Sequence, residues 1–316
     1  LAQLHQQVAE QIACYAALGL HGSATQTYAA ALEALQKGLA LADHHNYRNL
    51  RLTVLTNLGI IYRDMGDFSQ SMARFGENLH LTRQVGKLRE IVLVIANLGT
   101  LALLLGDYDM ALAYFNEAQQ MIGELGEQRI EAELLALHTI LYEQMGNTET
   151  ALRYCQQTLD LADRYHFYHP AREAWIIRGH LQLRQGAFSA ALAAYQQANA
   201  LSTTTGVKEE LLQGQAAIAA VRLAQGDSAA ALAEVEQVLQ HFDAARFNPF
   251  QSPQRILLTC YRVLEANHDP RAAATLQRAI ALLEDQAAQI SDPALSRSYR
   301  HNVPVNRELT QLANYA

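Results

Sequence analysis

The stretch NLGTLALLLGDYDMALAYF, residues 97–115, decides the fold. It runs from Asn97-Leu98-Gly99 through an apolar span to Gly106-Asp107-Tyr108, then on to Ala111 and Phe115. A glycine at the end of an apolar helical run takes the left-handed conformation that closes a helix. An Asp directly after it caps the next helix. The stretch therefore reads as the hinge between two antiparallel helices, the first from about Arg89 to Leu105 and the second from about Asp109 to Leu125. Gly99 lies inside the first helix, where glycine costs about 1 kcal/mol relative to alanine. Set against the small Ala111, it lets the two helices approach closely.

The hinge recurs. Gly66, Gly106, Gly146, Gly186 and Gly226 follow one another at intervals of 40 residues. Asp67, Asn147 and Asp227 repeat the capping position of Asp107. Ser71, Ala111, Ala151, Ala191 and Ala231 form a small-residue column, and Phe75, Phe115, Cys155, Tyr195 and Val235 a packing column. Gly59, Gly99, Thr139, Gly179 and Ala219 stand seven residues before each hinge glycine. A degraded copy precedes these at Gly19, Ala31 and Leu35. Another follows at Cys260, Ala272 and Ala279, after one inserted residue. Such a register predicts an all-α chain of seven helix pairs, in which each pair buries its apolar face only against its neighbours. The array is expected over residues 1–288, with capping helices over 289–316. Phe242 to Pro253 breaks the register and is expected to reorient the last pair.

These units resemble the tetratricopeptide repeat family. The likeness rests on Asn57-Leu58-Gly59, Gly66-Asp67-Phe68, Ser71 and Phe75, and on their recurrence one unit later. Trp175 stands where the family places the Trp that opens a helix. The period exceeds the family's usual length of about 34 residues and is similar to its long-helix variety. That variety occurs in peptide-sensing and polarity-adaptor proteins, in bacterial signal-transducing ATPases (the STAND type) and in maltotriose-type transcription activators. The segment Ser298 to Leu309 resembles the closing segment of such bacterial arrays. The resemblance implies a right-handed superhelical α-solenoid and a binding role in a bacterial signalling protein. It also implies that an Asn in the column of Asn57 and Asn97 can hydrogen-bond the backbone of an extended peptide.

Composition narrows the function. With 24 basic and 31 acidic side chains the net charge is −7, which argues against direct nucleic-acid binding or attachment to an anionic membrane. No apolar run is long enough to span a bilayer. The three cysteines, Cys14, Cys155 and Cys260, are too scattered for a disulfide framework or a thiolate metal site and suit a reducing, cytoplasmic setting. Cys155 and Cys260 fall in packing columns and read as inert buried thiols. No phosphate-loop, dinucleotide-binding or zinc-hydrolase pattern and no nucleophile elbow is present, so neither an enzyme nor a cofactor is expected. His44-His45 and His166 to His169 read as solvated loop histidines, not metal ligands, and Tyr165, Phe167 and Tyr168 as packing between units. The chain opens at Leu1, not Met, and reads as a piece of a longer protein.

What is left is the groove. The first helix of each pair lines the concave side with a stripe at i, i+3, i+4, i+7 spacing. The stripe carries polar residues in units two to five and turns small and apolar in unit six, at Ala216, Ala217 and Ala220. Asn57, Asn97, Arg63, Glu143, His180 and Arg184 are therefore the candidate ligand- or peptide-binding residues. Asn offers both a donor and an acceptor to a peptide group, and Arg63 and Arg184 could bind a carboxylate. Pairing of the two arginines with Asp64 or Glu143 is the simpler alternative. The expected function is a sensor module for a protein, peptide or small-molecule inducer. The alternative is a constitutive interaction scaffold.

Overall fold

The computed structural model describes residues 2–25, 27–244 and 247–314. Leu1, the Ala245-Arg246 step inside the expected break, and residues 315–316 of the expected cap lie outside the described residues. The regular elements among the described residues are all helical. Seven antiparallel pairs follow in order: α1 (Ala2–Thr25) with α2 (Tyr28–His44), α3 (Arg48–Asp64) with α4 (Phe68–Val85), α5 (Leu88–Leu104) with α6 (Tyr108–Leu125), α7 (Gln128–Gln144) with α8 (Thr148–Tyr165), α9 (Tyr168–Arg184) with α10 (Phe188–Thr205), α11 (Lys208–Ala224) with α12 (Ser228–His241), and α13 (Pro253–Ala266) with α14 (Ala272–Ala288). Two shorter helices, α15 (Pro293–His301) and α16 (Pro304–Ala313), end the chain's described part. The pairs stack as an α-solenoid.

Local chemistry sets each hinge. The five hinge glycines all have positive φ, between 73° and 82°. Asp67, Asp107, Asn147 and Asp227 each accept a hydrogen bond from the backbone N–H three residues on. A second left-handed step recurs between pairs, at Asn46, Gly86, Gly126, His166 and Gly206, with φ between 57° and 75°. Side chains vary along that column because the step is a single residue, which Asn and His tolerate as well as Gly.

Close approach within the pairs has a cause other than the expected one. A Cβ on Gly59, Gly99 or Gly179 would lie 2.5, 2.5 or 2.3 Å from a ring carbon of Phe75, Phe115 or Tyr195 respectively. The small-residue column does sit beside the same helix, since Ser71 Oγ donates to the carbonyl of Gly59 at 2.8 Å. It is the aromatic ring, not Ala111, that needs the glycine.

The array also closes on itself. The break after α12 carries a short 3-10 turn, Pro249–Gln251, capped by Asn248. Phe250 from this turn lies under the Arg63 guanidinium of α3, 5.4 Å from Cζ to the ring centre. Further on, the Oγ atoms of Ser69 and Ser291 are 2.9 Å apart, and Tyr108 Oη donates to the carbonyl of Asn302 at 3.1 Å. Asn302 Nδ2 donates in turn to the carbonyl of Gly106 at 2.9 Å. The rings of Phe68 and Tyr299 meet with centroids 5.9 Å apart. One apolar cluster accordingly joins Phe68, Leu101 and Leu105 to Val303, Val305 and Leu309. At Gly106 even a Cβ would come within 2.8 Å of the carbonyl oxygen of Ser298. The end of the chain thus reaches the second and third pairs.

Cys155 and Cys260 are buried and Cys14 is exposed. Burial raises the two buried thiols to about 11 and about 12, which keeps them protonated. Tyr165 and Tyr168 do not pack between units as expected. They are 42% and 49% exposed, and Tyr165 stacks on Phe167.

Filling the space of the Phe115 ring forces the α5–α6 pair apart, and overpacking costs about 1–3 kcal/mol. Gly99→Leu is expected to lower the unfolding free energy by that amount, whereas Lys208→Ala, at an exposed position, stays within about 0.5 kcal/mol of the parent. Denaturant titration of the two variants is the check. Equal midpoints would show that Gly99 is not at a helix contact.

Candidate functional site

Two adjoining chambers occupy the concave side. Helices α5, α7, α9 and α11 form one wall, and Pro249–Phe250, α13 and the chain's last helices form the other. Both chambers share Glu143, His180, Gln213, Ser252 and Arg255. The inner chamber, of about 210 Å³, is floored by Ala216, Ala217 and Ala220.

Three of the expected residues meet here. Glu143 is 3% exposed and pairs with Arg184 at 3.1 Å. Arg184 keeps its outer face in solvent, so this is a buried carboxylate held by a half-exposed cation. His180 contributes a ring edge-on to Tyr195, with centroids 5.8 Å apart. Burial, and then the charges of Arg255 and Arg184, push the His180 imidazole well below its ordinary range, so it is neutral. Its Nδ1 is shut off from solvent and has no hydrogen-bond partner.

The other three gather elsewhere, on α3 and α5. Asn57 Nδ2 donates to the carbonyl of Ala16 at 2.9 Å, and Asn97 Nδ2 to that of Leu93 at 2.8 Å. Arg63 pairs with Asp64 at 2.8 Å and donates to Asn97 Oδ1 at 3.3 Å. Asp64 is itself 8% exposed and accepts from Ser23 Oγ at 2.6 Å. Both arginine pairings are therefore the ones the sequence offers, Arg63 with Asp64 and Arg184 with Glu143, but with buried carboxylates. Phe250 touches both groups of residues, lying under Arg63 and lining the chamber.

Sequence reasoning missed three residues. Tyr195 is 0% exposed, yet its Oη has no partner. It stands in the column of Phe75 and Phe115, and that extra hydroxyl was the available signal. Arg172 is 2% exposed and donates to Ser202 Oγ at 2.9 Å and to Gln213 Oε1, and pairs with Glu173 and Glu210. Its column otherwise holds Leu52, Val92, Ala132 and Leu212, so a charge there is conspicuous. Arg255 lies in the seventh unit and, once the inserted residue is allowed for, in the column of Val54, Val94, Leu134, Ala174 and Gly214, so a charge there is conspicuous too.

The family model of the tetratricopeptide repeat matches residues 50–124 and again 88–164. The units within residues 50–164 are tetratricopeptide repeats. No curated protein matches the chain. Among solved structures it is similar to NprR in complex with its cognate peptide NprX, at 14% identity and TM-score 0.67, over 99% of this chain and 92% of that one. It is similar to a Rap protein complexed with competence and sporulation factor, at 11% identity and TM-score 0.60, over 97% and 99%. A third likeness is to a signal transduction ATPase with numerous domains from Pyrococcus horikoshii, which has a tetratricopeptide repeat sensor. The identity there is 12% and the TM-score 0.59. The match covers 94% of this chain and 45% of that protein, so this chain spans less than half of its length. At such identities the shared property is the fold. No helix among the described residues is long and apolar enough to cross a membrane.

Two outcomes follow from the buried polar atoms. A buried hydroxyl without a partner costs about 1–3 kcal/mol, so Tyr195→Phe, which restores the column residue, should raise the unfolding free energy by about 1 kcal/mol. A loss of stability in denaturant titration would mean that the hydroxyl is satisfied. His138 and His180 are both held below the ordinary imidazole value of 6.5, chiefly by burial. The unfolded chain therefore takes up protons there that the folded chain refuses. Stability is full above that pH and falls as the pH drops below it. The melting temperature should decline between about pH 7 and about pH 5.5, and His180→Ile should flatten the decline. An equal slope in parent and variant would contradict the assignment.

Proposed function

We propose that this array is the sensing module of a bacterial signalling protein and takes a peptide or small ligand into its concave chamber. The supporting observation is the convergence of Glu143, His180, Arg184 and Gln213, from three consecutive inner helices, on a chamber closed by the chain's own segment 249–255. A scaffold that works through its convex face has no use for polar groups buried at an apolar floor, whereas ligand sites are built that way. Asn57, Asn97 and Arg63 form the neighbouring wall, in contact with the chamber through Phe250. Glu143, His180 and Arg184 face the ligand. The complexes of NprR with its cognate peptide and of a Rap protein with competence and sporulation factor, and the sensor of the Pyrococcus ATPase, support the reading by likeness of fold. In this role the module binds and relays. It carries out no chemistry, works in the cytoplasm and leaves nucleic acid to other parts of its protein.

The test is thermal melting in the presence of the low-mass fraction of an extract of its own cell. Parent protein should melt higher with the fraction than without it. Ala217→Leu with Ala220→Ile fills the chamber with residues that their columns already accept, as at Leu137 and Ile140, and should abolish the shift. A shift that survives the filled chamber, or none in the parent, would favour the constitutive scaffold.

A further inference from the structure

The corner between the fourth and fifth repeats differs from its siblings. Tyr165, Phe167 and Tyr168 stand there, where the preceding corner has Leu125, Glu127 and Gln128 and the following one Thr205, Val207 and Lys208. No other Phe, Tyr or Trp among the described residues is exposed as Tyr165 and Tyr168 are. The left-handed step that Gly86, Gly126 and Gly206 make without a side chain carries the imidazole of His166. His166, Phe167 and Tyr168 line a groove of about 410 Å³ on the convex side, between the outer helices α8 and α10 with α9 beneath. Trp175 of α9, in the column of Leu55, Ile95 and Leu135, widens the apolar part of that groove. Over its ring lies Arg178, 5.3 Å from Cζ to the ring centre, which also donates to Gln156 Oε1 at 3.3 Å. Holding two repeats together does not require this, because the neighbouring corners do so with charged and aliphatic residues.

Charge in the groove is unbalanced. Asp160 and Asp163 line it from α8, and among the described residues no cation pairs with either. Asp160 accepts from the neutral amide of Gln156 at 2.7 Å. We propose that this groove docks a protein partner through a segment that sets a lysine or arginine beside a bulky apolar residue. The two parts of the groove ask for the two side chains. An apolar residue covers Trp175, Phe167 and Leu201, while the cation reaches Asp160 and Asp163 past aromatic rings whose faces attract it. Two carboxylates against the one guanidinium of Arg178 leave a single negative charge, so a monocation balances the groove and an anion is repelled. Aromatic residues with an arginine are also what the centre of a protein interface is made of. The proposal stands apart from the sensing reading, since it concerns the opposite side of the array. The two sites share α9, whose Ile176, Ile177 and His180 line the chamber while Ala171, Trp175 and Arg178 line the groove.

Trp175 is the chain's single tryptophan, so its emission reports on this groove. The probes are pools of N-acetylated, C-amidated hexapeptides that fix a central pair and vary the flanks. The pair is arginine-leucine, its neutral counterpart citrulline-leucine, or glutamate-leucine. The arginine pool should move the Trp175 emission to shorter wavelength and bind at least about tenfold more tightly than the citrulline pool. Tyr168→Ala should weaken every pool several-fold. Asp160→Asn with Asp163→Asn should erase the preference for arginine over citrulline while melting as the parent does, which separates selection by charge from a structural role. The filled chamber, Ala217→Leu with Ala220→Ile, should respond like the parent. No emission change at millimolar peptide, arginine and citrulline bound alike, glutamate bound as tightly as arginine, or a preference that survives the two Asn changes would each overturn the proposal. A response lost in the filled chamber would place the peptides in the concave groove, which overturns the proposal and leaves the sensing reading in place.

Discussion

A glycine facing an aromatic ring governs this molecule. In the α3–α4, α5–α6 and α9–α10 pairs the inner helix gives up a side chain at Gly59, Gly99 or Gly179 so that Phe75, Phe115 or Tyr195 can lie flat against its backbone. The contact fixes how near two helices come in these three pairs, and the hinge register of 40 residues makes each pair meet the next in a similar way. A constant step between similar units accumulates into curvature. The curvature brings the seventh pair and the last two helices round to the second and third pairs, and the groove becomes a chamber.

Closure changes what the concave face can do. An open groove presents polar groups to water, where their hydrogen bonds and charges are weak. Once segment 249–255 and helices α15 and α16 cover it, Glu143, His180 and Tyr195 lie in a medium where an unmatched polar atom is costly and a matched one is strong. The same closure joins ligand and architecture. Phe250 lies between the chamber and Arg63, and Tyr299 packs on Phe68 while accepting from Gln254 at 3.1 Å. A ligand that moves α13 must therefore disturb contacts that tie the chain's end to its second pair, and such a coupled element is what a sensor needs.

The sequence was readable where physics is local. The hinge glycines with their Asp or Asn caps located the helix pairs to within a residue, because positive φ and a free N–H impose residue types at fixed offsets. The partners of Arg63 and Arg184 were also legible, one as its neighbour and the other one period and one residue away. Closure was not, since Ser69 with Ser291 and Tyr108 with Asn302 are joined by no repeat and no local pattern. Arg255 was hidden because the inserted residue before it shifts the seventh unit's register by one. Tyr195 was hidden differently: in a packing column a phenol reads as a phenyl ring, and only the absence of a partner for its hydroxyl sets it apart. Asn57 and Asn97 were legible as inward amides, but not that their Nδ2 groups donate to carbonyls within the array.

The claim on which the rest depends is that the chain's end docks on the second and third pairs. The most direct measurement is a cross-link at the contact itself. Ser69→Cys with Ser291→Cys, in a Cys14→Ser background, replaces two hydroxyls 2.9 Å apart with two thiols. Mild oxidation should give a disulfide in nearly every molecule, seen as faster migration of the non-reduced chain, with the parent's helical content and with neither single variant linked within the chain. An array that stays open would leave both thiols free to alkylate while its helices remain folded, and that result would contradict the closed chamber.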